Sequence, residues 1–117
     1  MIRHLALFLA LCSLPGCLDS ECENEPTAEV LSPDGTKKIV LFSRNCGATT
    51  GFNTQGTVLN RGDELPYEPG SAFIIDNGTA KVTWADDRML IVVFENNARV
   101  FKKELSDGGV TIDYQPK

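Results

Sequence analysis

The stretch Arg44-Asn45-Cys46-Gly47-Ala48-Thr49-Thr50-Gly51-Phe52 concentrates more chemistry than any other part of this 117-residue chain. Its glycines let backbone amides approach a ligand, Thr49 and Thr50 offer hydroxyls, and the Arg44 guanidinium suits a carboxylate or phosphate. Arg44, Asn45, Thr49, Thr50 and Phe52 are therefore the candidate binding residues. The competing role for the same stretch is a disulfide-pinned loop whose threonines bond their own backbone.

Catalytic chemistry has little to build on. The one histidine is His4, and it falls in a segment that reads as removable. Ser-His-Asp and Cys-His sites need an imidazole to take the nucleophile's proton near neutral pH, and the common zinc-enzyme sites need one as a ligand. The neighbouring carboxylates of Asp86 and Asp87 suit a tight turn rather than an acid and base converging on one substrate. No EF-hand spacing and no phosphate-binding glycine loop is present. Trp84 with Tyr67-Glu68-Pro69 could form an aromatic platform for a sugar, although a lone Trp in an alternating strand is more often core. The expectation is a non-enzyme without cofactor or metal.

The N-terminus has a different chemistry. A basic start at Arg3, an apolar run from Leu5 to Leu14 and then Leu14-Pro15-Gly16-Cys17 form a lipobox, the signal for lipidation and cleavage at a bacterial cysteine. The run has about half of the ~20 residues that a membrane-crossing helix needs, and a Pro-Gly pair closes it. This predicts a signal peptide over 1–16, a lipidated acidic tether over 17–26 with the lipid on Cys17, and a folded domain over 27–117. Leu18 rather than Asp follows Cys17, which favours the periplasmic face of the outer membrane. Pro15 departs from the small residue usual before the lipobox Gly; the alternative is an ordinary secretory signal and an unlipidated periplasmic protein.

Removing 1–16 leaves roughly 100 residues, room for a single small core. The whole chain has a formal net charge of −5 with 11 basic and 16 acidic residues, and losing Arg3 makes the remainder more acidic. Nucleic acid is therefore a poor partner. Of the four cysteines, Cys12 leaves with the signal and Cys17 takes the lipid, so Cys22 and Cys46 remain as a disulfide pair in an oxidising compartment. Such a bridge closes a loop of roughly 25 residues and stabilises by about 3 kcal/mol on the chain-entropy model. The alternative is a buried, reduced Cys46 with Cys22 in the tether.

The elements that must position these residues read as strands throughout. The strand pattern begins at Thr27, with Thr27–Leu31 leading into the first turn, and continues with strands predicted at Lys38–Phe42, Thr54–Leu59, Ala72–Ile75, Lys81–Trp84, Met89–Phe94, Arg99–Leu105 and Val110–Tyr114. Turn chemistry separates them: Ser32-Pro33-Asp34-Gly35, a hairpin signature at Asp76-Asn77-Gly78, Asp86-Asp87-Arg88, and Asp107-Gly108-Gly109. Cys46–Phe52 is a loop, and Arg61–Gly70 is the longest irregular connection. The fold class is all-β: a single antiparallel meander, curled sheet or sandwich of about seven strands. Ile39–Phe42 and Met89–Phe94 are apolar at every position, which predicts cover on both of their faces, or an apolar patch left for a partner.

The segments Ser32-Pro33-Asp34-Gly35 and Asn45-Cys46-Gly47-Ala48-Thr49-Thr50-Gly51-Phe52, with Trp84, Asp87, Leu90 and Ala98–Phe101, resemble a family of small uncharacterised bacterial envelope proteins. The resemblance spans about Cys22 to Tyr114 and implies an envelope location and one domain, without supplying a reaction. The expected function is a lipid-anchored, non-enzymatic binding module whose partners are the membrane, through the N-terminal lipid, and another envelope protein. A small periplasmic inhibitor or ligand-binding domain is the runner-up, and the oligomeric state is left open.

Overall fold

The computed structural model describes residues 22–47 and 51–117. Nine strands are present among them: β1 (Glu23–Leu31), β2 (Lys37–Asn45), β3 (Asn53–Asn60), β4 (Phe73–Asp76), β5 (Thr79–Asp86), β6 (Met89–Glu95), β7 (Arg99–Lys103), β8 (Ser106–Asp107) and β9 (Val110–Gln115). They form two sheets, ordered β1-β2-β3-β4-β7 and β5-β6-β9-β8. The all-β class is as expected; of the meander, curled sheet and sandwich left open by the alternation, the fold is a sandwich, with nine strands among the described residues rather than about seven. Cys17, Thr49 and Thr50 lie outside the described residues.

The first four strands are an antiparallel meander. The chain then passes to the second sheet for the β5–β6 hairpin, returns so that β7 pairs antiparallel with β4, and crosses again for β8 and β9. Because β9 enters alongside β6 after that excursion, these two are parallel, whereas every other pair is antiparallel. Two predicted details are corrected. Asp76-Asn77-Gly78 turns the chain, with Asn77 at φ 58°, but the strands on either side join different sheets and make no hairpin. A Cβ on Gly78 would stand 2.5 Å from the Glu95 carbonyl oxygen and 2.6 Å from the Ala98 Cβ, so glycine is required where this crossing passes beneath the β6–β7 connection. The first strand also starts at Glu23 rather than Thr27, because Glu23–Pro26 pair with Phe42–Asn45.

The core lies between the sheets. Ile39, Leu41, Val58 and Phe73 from one side meet Leu90, Val92, Val110 and Ile112 from the other, all buried. These positions recur every second residue, as the pleat demands. Gly56 and Phe73 are cross-strand partners, and a Cβ on Gly56 would lie 2.5 Å from the Phe73 ring. The missing side chain is the space that the ring fills. Phe73, Phe94 and Tyr114 continue as an aromatic row with centroid separations of 5.3 and 5.5 Å, within the range of favourable ring pairs.

The two strands without alternation behave differently. In β2, Val40 and Phe42 are as buried as Ile39 and Leu41, although they point to the opposite face. The irregular connection 61–72 supplies the cover: Gly70 N–H donates to Gln55 Oε1 at 2.7 Å and Ser71 N–H to Thr57 Oγ1 at 3.1 Å, both residues being on the outer side of β3. In β6, by contrast, Met89, Ile91 and Val93 are half-exposed. The expectation of cover on both faces therefore holds for β2 and fails for β6, whose outer stripe stands between the polar positions Lys81 and Thr83 on one neighbour and Thr111 and Asp113 on the other.

Candidate functional site

Cys22 and Cys46 form a disulfide across a sequence separation of 24, with Cα atoms 4.0 Å apart. They stand directly beyond the Glu23–Asn45 pair, so the bridge closes the open end of the β1–β2 hairpin. Beside it, Asn53 performs a task that sequence reading missed. Its amide donates to the carbonyls of Arg44 (2.8 Å) and Gly51 (3.0 Å), and its Oδ1 accepts the Arg44 N–H at 2.9 Å. The loop leaving β2 is thereby clamped at its neck.

Of the candidate binding residues of that loop, Arg44, Asn45 and Phe52 are among the described residues, and these three do not converge. Arg44 donates through Nη1 to Asn24 Oδ1 at 2.8 Å, and Asn45 Oδ1 accepts the Gly47 N–H at 3.0 Å. Arg44 lines a recess of about 240 Å³ with Asn53, Gln55, Asp76 and Phe101, while Phe52 lines a different one with Thr27 and Ala80. The polar groups of the first recess are already engaged: Gln55 with Gly70 and Asn53, and Asp76 with both Nε and Nη2 of Arg99 at 3.1 and 2.9 Å. That pairing holds the Asp76 carboxyl below its ordinary range and raises Arg99. Phe52 itself is 61% exposed.

The better-built site is on the outer face of the first sheet, where the 61–70 connection lies over β1 and β2. Asn24 organises it. Its Nδ2 donates to the carbonyls of Pro66 at 3.0 Å and Glu68 at 2.9 Å, while its Oδ1 holds Arg44. The Glu68 N–H also donates to the Pro66 carbonyl at 2.8 Å, which makes a three-residue turn centred on Tyr67. Pro66 and Pro69 flank that turn, and their fixed φ reduces the number of conformations open to it. Tyr67, 83% exposed, is thus an aromatic side chain presented to solvent on a held backbone.

Immediately before this turn the connection and the strands enclose a groove of about 510 Å³, within the ~300–1,000 Å³ typical of ligand clefts. Pro26, Ala28, Val40 and Leu65 form its apolar wall. Lys38, its side chain only 10% exposed, pairs with Glu29 at 3.0 Å. Asp63 and Glu64 stand along the loop side of the groove, and among the described residues neither carboxylate has an ion-pair or hydrogen-bond partner.

Trp84 does not join Tyr67 in an aromatic platform. Its indole Nε1 donates to the Val30 carbonyl at 3.0 Å, and its ring packs against the core. Asp86 and Asp87 take up turn duties: Asp86 Oδ1 accepts the Arg88 N–H and Asp87 Oδ1 the Asp34 N–H, both at 2.8 Å. Among the described residues, no group of three His, Cys, Asp or Glu side chains is placed to hold a metal ion. The chain matches no family model, no curated protein and no solved structure.

Proposed function

We propose that this chain is a lipid-anchored, non-enzymatic module of the bacterial cell envelope that binds another envelope protein through the 61–70 connection. The lipobox and the pairing of the two remaining cysteines support the compartment. The observation that carries the binding role is Tyr67: a largely exposed aromatic on a turn whose two flanking carbonyls are both held by Asn24. An apolar ring with a polar tip is well suited to anchor an interface, and a backbone ordered beforehand loses less entropy when a partner docks. The Cys46–Phe52 loop, with its neck clamped by Asn53, then belongs to the scaffold.

A photo-crosslinking residue placed at position 67 in the intact cell tests this reading, with position 81, on the exposed outer side of β5, as the control. A discrete envelope protein captured from 67 and absent from 81 is the expected outcome. No adduct, or the same adducts from both positions, would refute it. The mass of the mature N-terminus in membranes tests the anchor: a lipidated Cys17 is expected, and an unmodified start would make the protein a soluble periplasmic one. A rigid, proline-flanked loop also suits the runner-up role, insertion into the cleft of a periplasmic enzyme, in which case the captured protein would be an enzyme whose activity falls on binding.

A further inference from the structure

We infer that the groove beside Tyr67 receives a lysine or arginine side chain from an extended segment of the partner protein. This rests on the partner-binding reading and deepens it by naming what the partner inserts. The groove has the two properties that a long cationic side chain requires. Its wall of Pro26, Ala28, Val40 and Leu65 can take the aliphatic stem, whose removal from water is favourable. Its charge is uncompensated, because the Lys38 ammonium is matched by Glu29 and Asp63 and Glu64 remain without partners among the described residues.

Charge complementarity decides the sign of the occupant. An acidic segment entering the groove would bring its carboxylate towards Asp63 and Glu64, and the one cation there is already paired. A neutral apolar segment would leave both carboxylates partly desolvated with nothing in exchange. A basic side chain satisfies both requirements. The groove residues Gly62–Leu65 and the Tyr67 turn are consecutive in the chain, so one extended segment can meet the aromatic anchor and the groove together.

The test uses the full chain, purified in non-ionic detergent, and three fluorescein-labelled peptides, Ala-Leu-X-Leu-Ala, in which X is lysine, norleucine or glutamate. Fluorescence anisotropy should show the lysine peptide binding about tenfold more tightly than the norleucine peptide, with the glutamate peptide weakest and the lysine preference shrinking as salt rises. The double substitution Asp63→Asn and Glu64→Gln should abolish the preference. Pro26→Trp, which fills the wall without altering any charge, should weaken the lysine and norleucine peptides alike. Thermal unfolding confirms that each variant is folded, and the changed side chains are all exposed in the wild-type chain. Equal binding of the lysine and norleucine peptides, or a lysine preference that survives the double substitution, would overturn the assignment. Capture of a protein at position 67 with no lysine preference removes the groove inference alone, whereas a lysine preference with no capture removes the Tyr67 reading.

Discussion

The carboxylate of Asp87 accepts the backbone N–H of Asp34 at 2.8 Å, across 53 positions of sequence. Each residue sits in a hairpin turn, one in each sheet, and the bond ties the two turns together at one end of the sandwich. The Oδ1 of Asp34 is itself saturated: it accepts the Thr36 N–H, the Thr36 hydroxyl and the Ser32 hydroxyl at 2.8–3.0 Å. Those bonds, led by the Thr36 amide, hold its carboxyl below the ordinary value of 3.8, with a smaller contribution from the Arg88 charge.

Asp87→Ala should cost about 1 kcal/mol, the net worth of one such bond, read as a lower urea midpoint with an unchanged slope. The Asp34 carboxylate adds a pH dependence. Its folded pKa is depressed, so its contribution is whole above the unfolded value of 3.8 and is lost as the pH falls through the lower, folded one. Asp34→Asn should therefore remove part of the acid limb of the stability profile. A profile unchanged by that substitution would contradict the assignment.

Asn24→Ala removes two bonds to the Tyr67 turn and one from Arg44. The expected cost is about 1–3 kcal/mol. Hydrogen exchange should accelerate most at the Glu68 amide, which lies in the turn, while the core amides of β6 and β9 quicken only by the loss of global stability. Uniform acceleration across the protein would mean that Asn24 does not act locally.

Gly56→Ala places a methyl group within 2.5 Å of the Phe73 ring, inside a core where that ring is fully buried. Overpacking should cost about 1–3 kcal/mol. Pairing it with Phe73→Leu should recover part of the loss, and a double-mutant cycle in urea measures that coupling.

Tyr114 lies with its hydroxyl 2.7 Å from the Glu104 carbonyl and 3.2 Å from that of Ala72. Partial burial, then the nearby carboxylates of Glu104 and Asp107, push it up to about 12 from 10.0. A raised pKa on this group means that the unfolded chain ionises first. Its contribution is whole below pH 10 and is lost as the pH rises from 10 towards 12. The absorbance of ionised phenol should show a late phase near pH 12 that disappears in Tyr114→Phe, and the same variant should flatten the alkaline fall in stability.

Much of the scaffold was legible because its signals are local. Alternation located β5 and β9, the Asp107-Gly108-Gly109 turn made the β8–β9 hairpin with both glycines at positive φ, and elimination among the cysteines paired Cys22 with Cys46. The site was less legible. Arg44 has the chemistry of a donor to a ligand, yet its Nη1 is engaged by Asn24, a residue whose acidic surroundings read as a tether. Tyr67, by composition a partner for Trp84 in an aromatic platform, stands apart from it.

What the residues determined by themselves was the strand character, the turns and the Cys22–Cys46 disulfide, since each depends on neighbours in the chain or on a count. Tertiary structure alone decided which sheet each strand joins, that the 61–72 connection covers the outer face of β2 and β3, and that Asn24 reaches Pro66 and Glu68, 42 and 44 positions away. Hydrophobic period and turn chemistry act over a few residues. Which loop covers an apolar face depends on long-range burial and hydrogen bonding, and these exist only once the sheets have formed.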